Sequence, residues 1–186
     1  MIGGMHRFLG TLVDEHQRIL DALAALYDYA RFLAPIDEDP RGTLRDFSRF
    51  FREYLDGAHH HKEEALLFEA MFDAGFSRTS GPVACMNHEH EDGRAAVAKL
   101  SALAEGAGAL SPDELASLVE ASADFTRLLA SHIAKENQML YPLAARALSD
   151  ETLDALAERA RAAHSLAEIQ ALEALGEALS ARSAAR

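Results

Sequence analysis

Apolar residues recur along most of the chain at steps of three and four, the period of a helix with one buried face. No extended stretch alternates apolar with polar residues in the manner of a strand. Four long amphipathic helices follow from this pattern. The first spans about residues 5–34, with Leu9, Leu12, Ile19, Leu23, Leu26 and Tyr27 on one stripe, and Pro35 ends it. The second covers about 43–74, carried by Phe47, Phe51, Leu55, Leu66 and Ala70, and Gly75 stops it. The third opens at Pro82, a favourable first-turn position, carries Val83, Met86, Val97 and Leu100, and fades in AEGAGA. The fourth opens at Ser111-Pro112-Asp113-Glu114, the signature of a capping box, and runs through Leu118, Phe125, Leu129 and Met139 to about 147. A last Ala- and Leu-rich helical stretch starts at Ser149-Asp150-Glu151. Short connections make long helices antiparallel neighbours. The expected fold is therefore all-α: an antiparallel up-down-up-down four-helix bundle over residues 1–147, with an additional C-terminal helical segment, 148–186, that packs on the bundle or serves self-association as a homodimer.

Composition narrows the partners. A formal net charge of -12 argues against nucleic acid and against an anionic membrane surface. No apolar run approaches the length of a membrane span, and His6, Arg7, Asp14 and Glu15 interrupt the N-terminus too early for a signal-peptide core. The single cysteine, Cys85, cannot form an internal disulfide. A cytoplasmic setting is expected.

An internal repeat changes the picture more than composition does. His59-His60-His61-Lys62-Glu63-Glu64-Ala65-Leu66-Leu67-Phe68 aligns with His132-Ile133-Ala134-Lys135-Glu136-Asn137-Gln138-Met139-Leu140-Tyr141 in a shared H-x-x-K-E-x-x-x-L-aromatic pattern. Glu15-His16 in the first helix likewise matches Glu89-His90 in the third. A pseudo-twofold bundle brings both copies of each motif together.

The repeated polar residues lie on the apolar stripes. Phe51, Leu55, His59, Glu63, Leu66 and Ala70 share a face, as do Phe125, Leu128, His132, Glu136, Met139 and Leu143. His16 falls between Leu12 and Leu20, and His90 between Met86 and Val97. Four histidines and two glutamates thus point into a core, where they are costly unless something compensates them. Metal ions do so: imidazole and carboxylate are good donors to iron. Glu63 and Glu136 can bridge two metals, with His16 and His59, and His90 and His132, as terminal pairs and room for an oxo or hydroxo bridge. Structural zinc fits less well, because its closed sites are rich in thiolate and no cysteine ligands are at hand.

In these motifs the sequence resembles the hemerythrin-like, or HHE cation-binding, proteins. The matching stretches are DEH at 14–16, YLDGAHHHKEEALLF at 54–68, EHEDGR at 89–94 and HIAKENQMLYP at 132–142. The resemblance covers about residues 5–146 and implies a non-haem di-iron centre ligated by His16, His59, Glu63, His90, His132 and Glu136. One departure stands out. Oxygen-carrying hemerythrins place a second histidine four residues on in the third helix and end the fourth with an aspartate ligand; here those places hold Arg94 and Glu136. The two metals are then expected to be more alike than in an oxygen carrier, which counts against plain oxygen storage.

Other residues flank the motifs. His60 lies about 100° round the helix from His59 and can supply a fifth nitrogen, although Asp56 and Glu64, four residues away on either side, favour a solvated or supporting role. Tyr54 is near enough to hydrogen-bond a bridge or ligate iron, with core packing the preferred reading. Glu15 and Glu89 either orient other groups or are exposed. His61 and His88 are expected at the surface, and Cys85 as a small buried hydrophobe. The resemblance implies reaction with, or binding of, a small diatomic or peroxide ligand (dioxygen, peroxide or nitric oxide) in oxidative or nitrosative stress defence. The enzymatic form of that reading is a di-iron oxidoreductase with catalase-like or nitric oxide-related activity. The alternative is an iron- or oxygen-sensing module without turnover.

Overall fold

The computed structural model describes residues 5–184; residues 1–4 and 185–186, which fall within the expected boundaries, lie outside the described residues. The described chain is helical throughout, in six helices without a strand. Helix α1 is the run Arg7–Asp28 continued by a wider π turn, Tyr29–Leu33. Helix α2 comprises Pro40–Phe50, π segments Phe51–His60 and Glu63–Phe68, and Glu69–Asp73. Helix α3 is Gly81–Ala104, and α4 is Pro112–Lys135, a π turn Glu136–Leu140, and Tyr141–Ala147. Helices α5, Asp150–Ala163, and α6, Leu166–Ala184, complete the chain.

Local chemistry explains the boundaries. Asp39 caps α2 ahead of Pro40, Ser111 and Glu114 close the expected capping box on α4, and Ser149 caps α5. The C-terminal stretch, read as one helix, breaks at His164. Ser165 and Glu168 form a second Ser-x-x-Glu box there, with backbone N–H groups bonded to both side chains.

Helices α1 to α4 close a ring, α1 against α2, α2 against α3, α3 against α4 and α4 against α1, while α5 and α6 pack across α1 and α2. The interior holds two hydrophobic clusters. One gathers Ile19, Leu23, Phe47, Phe51, Tyr54, Leu100, Phe125 and Leu129; the other gathers Phe8, Leu9, Leu12, Phe68, Met86, Leu140 and Tyr141. Along each helix the repeated histidines and glutamates fall between the two, so a polar layer divides the core.

The π segments shift the stripes read from a uniform period. A π turn holds an extra residue, so every position beyond it rotates relative to an α-helix. On α4, Met139 is 46 % exposed whereas Leu140 and Tyr141 are buried. The turn ends beside Pro142, which has no N–H to bond the Gln138 carbonyl. On α2, the widened backbone turns both His59 and His60 inward. Tyr29 is buried in place of Tyr27 on α1.

Two expectations concern the packing. A Cβ on Gly176 of α6 would lie 2.5 Å from Phe50 Cε2, against a buried ring with no room to move. Gly176→Val is expected to lower stability in urea by about 1–3 kcal/mol through overpacking; an unchanged midpoint would mean that α6 is not tightly docked. Asp37 accepts hydrogen bonds from Tyr29 and Thr43 at 2.8 Å and from the Asp39 backbone at 3.0 Å. Burial by itself would raise its pKa, but these donors and Arg182 hold it below the usual 3.8. A depressed carboxylate contributes stability above its unfolded pKa and loses it as pH falls through the folded one. The stability advantage of wild type over Asp37→Asn is therefore expected to be full at pH 7 and to fade below about pH 4. Equal pH profiles for the two proteins would remove Asp37 from the acid response.

Candidate metal centre

All six sequence-predicted donors meet in the polar layer. His16, His59, Glu63, His90, His132 and Glu136 are each at most 1 % exposed. Together with His60 they form two groups, within each of which the donor atoms all lie within 4.8 Å of one another: His16, His59, Glu63 and Glu136 in one, and His60, Glu63, His90 and His132 in the other. Glu63 belongs to both. Glu136 also approaches the second group, with Oε1 3.1 Å from His132 Nε2 and 3.8 Å from His90 Nε2, while its Oε2 is 3.2 Å from His16 Nε2.

The imidazoles are aimed by their outer nitrogens. His59 Nδ1 donates to Glu15 Oε2 at 2.9 Å, and Lys62 Nζ holds the other oxygen of Glu15. His132 Nδ1 donates to Glu89 Oε2 at 3.0 Å, and Lys135 holds the other oxygen of Glu89. His16 Nδ1 donates to Asn137 Oδ1 at 2.9 Å, and His90 Nδ1 to Glu64 Oε1 at 2.7 Å. With the Nδ1 protons committed outward, the Nε2 lone pairs face inward. They meet in pairs, His16 to His59 at 3.0 Å and His90 to His132 at 3.1 Å. Outward carboxylates on ligand histidines fix ring orientation and raise basicity in metal sites generally.

These partners follow the repeat. Glu15 and Glu89 each orient the histidine of the next helix rather than their own neighbour, and the Lys of each H-x-x-K-E anchors that glutamate. Lys62, Lys135, Glu64 and Asn137 were not singled out from sequence, although the aligned repeat contained all four.

The two halves differ where the repeat differs. Tyr141 stacks on His16 with centroids 5.6 Å apart and donates to Glu63 Oε1 at 2.7 Å; the matching Phe68 stacks on His90 at 5.7 Å and has no hydroxyl to give. Asn137 is neutral where Glu64 is charged and paired with Arg94 at 2.6 Å. Ile133 stands where the other half has His60. One half therefore carries a phenol and the other an extra imidazole.

His60 is not solvated as its neighbours in sequence suggested. It is 1 % exposed and stacks on His90 with centroids 3.7 Å apart, although Asp56 remains 3.4 Å from its Nδ1. Burial pushes its pKa down to about 4, which keeps the ring neutral and a lone pair free. Tyr54 instead stacks on Phe50 at 5.0 Å inside the hydrophobic core, and Tyr141 is the tyrosine that reaches the glutamates. Cys85, read as buried, is exposed, with its thiol 3.8 Å from Glu89 Oε1. His61 and His88 are at the surface as read.

The electrostatics favour a cation. Glu63 Oε2, both oxygens of Glu136 and both nitrogens of His60 are buried without a hydrogen-bond partner. Burial alone would lower the pKa of His90, yet Glu136, Glu63 and Glu64 push it up to about 11, a measure of the negative charge gathered there. Burial and the adjacent Glu63 and Glu136 push Tyr141 well above its ordinary value, so it remains a donor. Imidazole nitrogens, buried carboxylates and orphaned acceptors, with a surplus of negative charge among them, are a donor set that suits iron, so the residues present fit the metal.

A cavity of about 460 Å³ between α2 and α3 reaches the His60 ring. Phe51, Leu55 and Val97 give it apolar walls, Gly93 leaves α3 bare, and Arg94 lies at its side, bonded to Asp56 at 2.9 Å and to Glu64. No described helix is long and apolar enough to cross a membrane.

The family model of the hemerythrin HHE cation binding domain matches residues 7–144. No curated protein and no solved structure matches the chain.

Proposed function

The chain belongs to the hemerythrin HHE cation-binding family, and we propose that it holds two iron ions and reacts with a small oxidant (peroxide, dioxygen or nitric oxide) in oxidative or nitrosative stress defence. The observation that carries this reading is a single buried carboxylate, Glu63, shared by two four-donor groups, beside Glu136 with both oxygens lacking hydrogen bonds. His16, His59, Glu63 and Glu136 would hold one ion, and His90, His132, His60 and the two glutamates the other. Iron held there supplies redox change and Lewis acidity.

The chain's own residues do the rest. Glu15 with Lys62 and Glu89 with Lys135 fix the tautomers of His59 and His132 so that Nε2 faces the metal. Tyr141 holds Glu63 by one oxygen and carries a proton at the centre. The cavity at His60 admits a small ligand through an apolar passage and excludes bulky reductants. The bundle domain is residues 1–147, with 148–186 as an extension, and the exposed thiol of Cys85 suits a reducing cytoplasm.

Aerobic purification followed by metal analysis and an optical spectrum tests the proposal. It expects about two irons per chain with ligand-to-iron charge-transfer bands; stoichiometric zinc without such bands would overturn it. Consumption of hydrogen peroxide or nitric oxide by the iron form would mark an enzyme. Saturable binding without consumption would mark a sensor, the second reading, which the covering of one side of the centre by α5 and α6 favours.

A further inference from the structure

The two Lys–Glu–His relays are matched in sequence but not in surroundings. The Lys135 side chain is 32 % exposed, whereas Lys62 is 11 % exposed because α5 and α6 arch over its side of the bundle. Beneath that arch lies a cavity of about 570 Å³, bounded by α1, α2, α5 and α6, and both Glu15 and Lys62 form part of its wall. Helices α5 and α6 fall beyond the matched family domain, so this cavity belongs to the chain's own addition.

Its walls combine two chemistries. Phe8, Ala160 and Ile169 supply an apolar surface. Arg7, Lys62 and Arg161 supply cations, against two acids, of which Glu15 is held by Lys62 and Glu173 lies 3.4 Å from Arg18. Arg7 uses Nε and Nη2 on Asp154, and Arg161 uses Nη2 on Glu158 and Nε on a carbonyl. The Nη1 group of each has no partner among the described residues. Free guanidinium donors beside an apolar wall recognise a carboxylate attached to a hydrocarbon body, and the volume is that of a small-molecule site.

We propose that this cavity binds a medium-chain aliphatic carboxylate whose head group takes hydrogen bonds from Lys62 and an arginine. The Lys62 ammonium carries three N–H donors, so a bound carboxylate shares it with Glu15 and weakens its hold on that side chain. Glu15 then holds His59 Nδ1 differently, and the ligand alters one histidine of the centre without touching it. The His132 relay is the internal control, since Lys135 lies outside this cavity and is 32 % exposed. The binding step does not depend on the iron reading; only its consequence for a metal does.

Octanoate and octanol are the probes, and metal-free full-length protein is the sample. Calorimetry is expected to show octanoate binding, with octanol at least tenfold weaker. Ala160→Phe, which fills the cavity, and Lys62→Met are each expected to weaken octanoate at least tenfold, while Lys135→Met leaves it unchanged. In nitrogen-labelled histidine spectra, octanoate is expected to move the His59 ring signals and leave those of His132 in place. No octanoate binding, binding indifferent to Ala160→Phe, or equal shifts at both histidines would overturn the proposal. Because the sample is metal-free, zinc or no metal in the purified protein sinks the di-iron reading without affecting this one.

Discussion

Glu63→Ala, purified beside wild type, is expected to hold less than half the wild-type iron and to bind what remains at least about 100-fold more weakly. Loss of supporting groups around ligands already costs 10–100-fold, and Glu63 is a donor common to both groups rather than a support. The substitution also removes the 2.7 Å acceptor of the Tyr141 hydroxyl, leaving it His16 Nε2 at 3.3 Å, and takes away the carboxylate that lies 3.5 Å from His59 Nε2 and 3.4 Å from His90 Nε2. It should not unfold the metal-free protein, because it removes a buried carboxylate with one oxygen already unpartnered. Far-ultraviolet dichroism therefore separates a lost site from a lost fold. Wild-type iron content in a folded Glu63→Ala protein would disprove the shared-carboxylate assignment.

Metal removal is the second large effect. Without a cation, five imidazoles and two carboxylates, all at most 1 % exposed, face one another across the layer that divides the core. A ligand that binds only the folded state stabilises it by about 4 kcal/mol at a thousand times its dissociation constant. For a chain of this size each kcal/mol moves the melting point by about 2–4 °C. Exhaustive chelation is accordingly expected to lower the melting temperature by about 10 °C, with recovery on adding ferrous iron. Loaded and chelated proteins that melt together would show that the polar layer is satisfied by its own protons, and the fit to metal would fail as an explanation of its burial.

How much of this was legible beforehand differs by residue. The six donors could be found because each sits on an apolar stripe and each has a counterpart in the repeat; a buried His or Glu placed twice at the same spacing is hard to explain by packing. Glu15 and Glu89 were noticed as a pair, but their partners were not. Each reaches a histidine more than forty positions away on another helix, at 2.9 and 3.0 Å, a contact that no spacing within one helix encodes. His60 and Met139 face otherwise than a uniform period implies, and Tyr141, aligned in the repeat but given no position, reaches the centre, for one common reason. A constant helical period was applied through segments where the backbone widens, and one extra residue per turn exchanges the inner and outer faces.

The amino-acid pattern alone therefore determined the helical class, the helix ends with caps or glycine stops, and the six histidines and glutamates that meet in the buried polar layer, because these depend on local periodicity, capping and repetition. The tertiary structure decided which imidazole each outer carboxylate orients, that His60 joins the buried donors while Tyr54 does not, and that α5 and α6 enclose a cavity over Lys62 but leave Lys135 open. Those outcomes depend on how separate helices approach and where their turns widen. Side chains distant in sequence settle them, through burial and hydrogen bonding that exist only once the helices have packed.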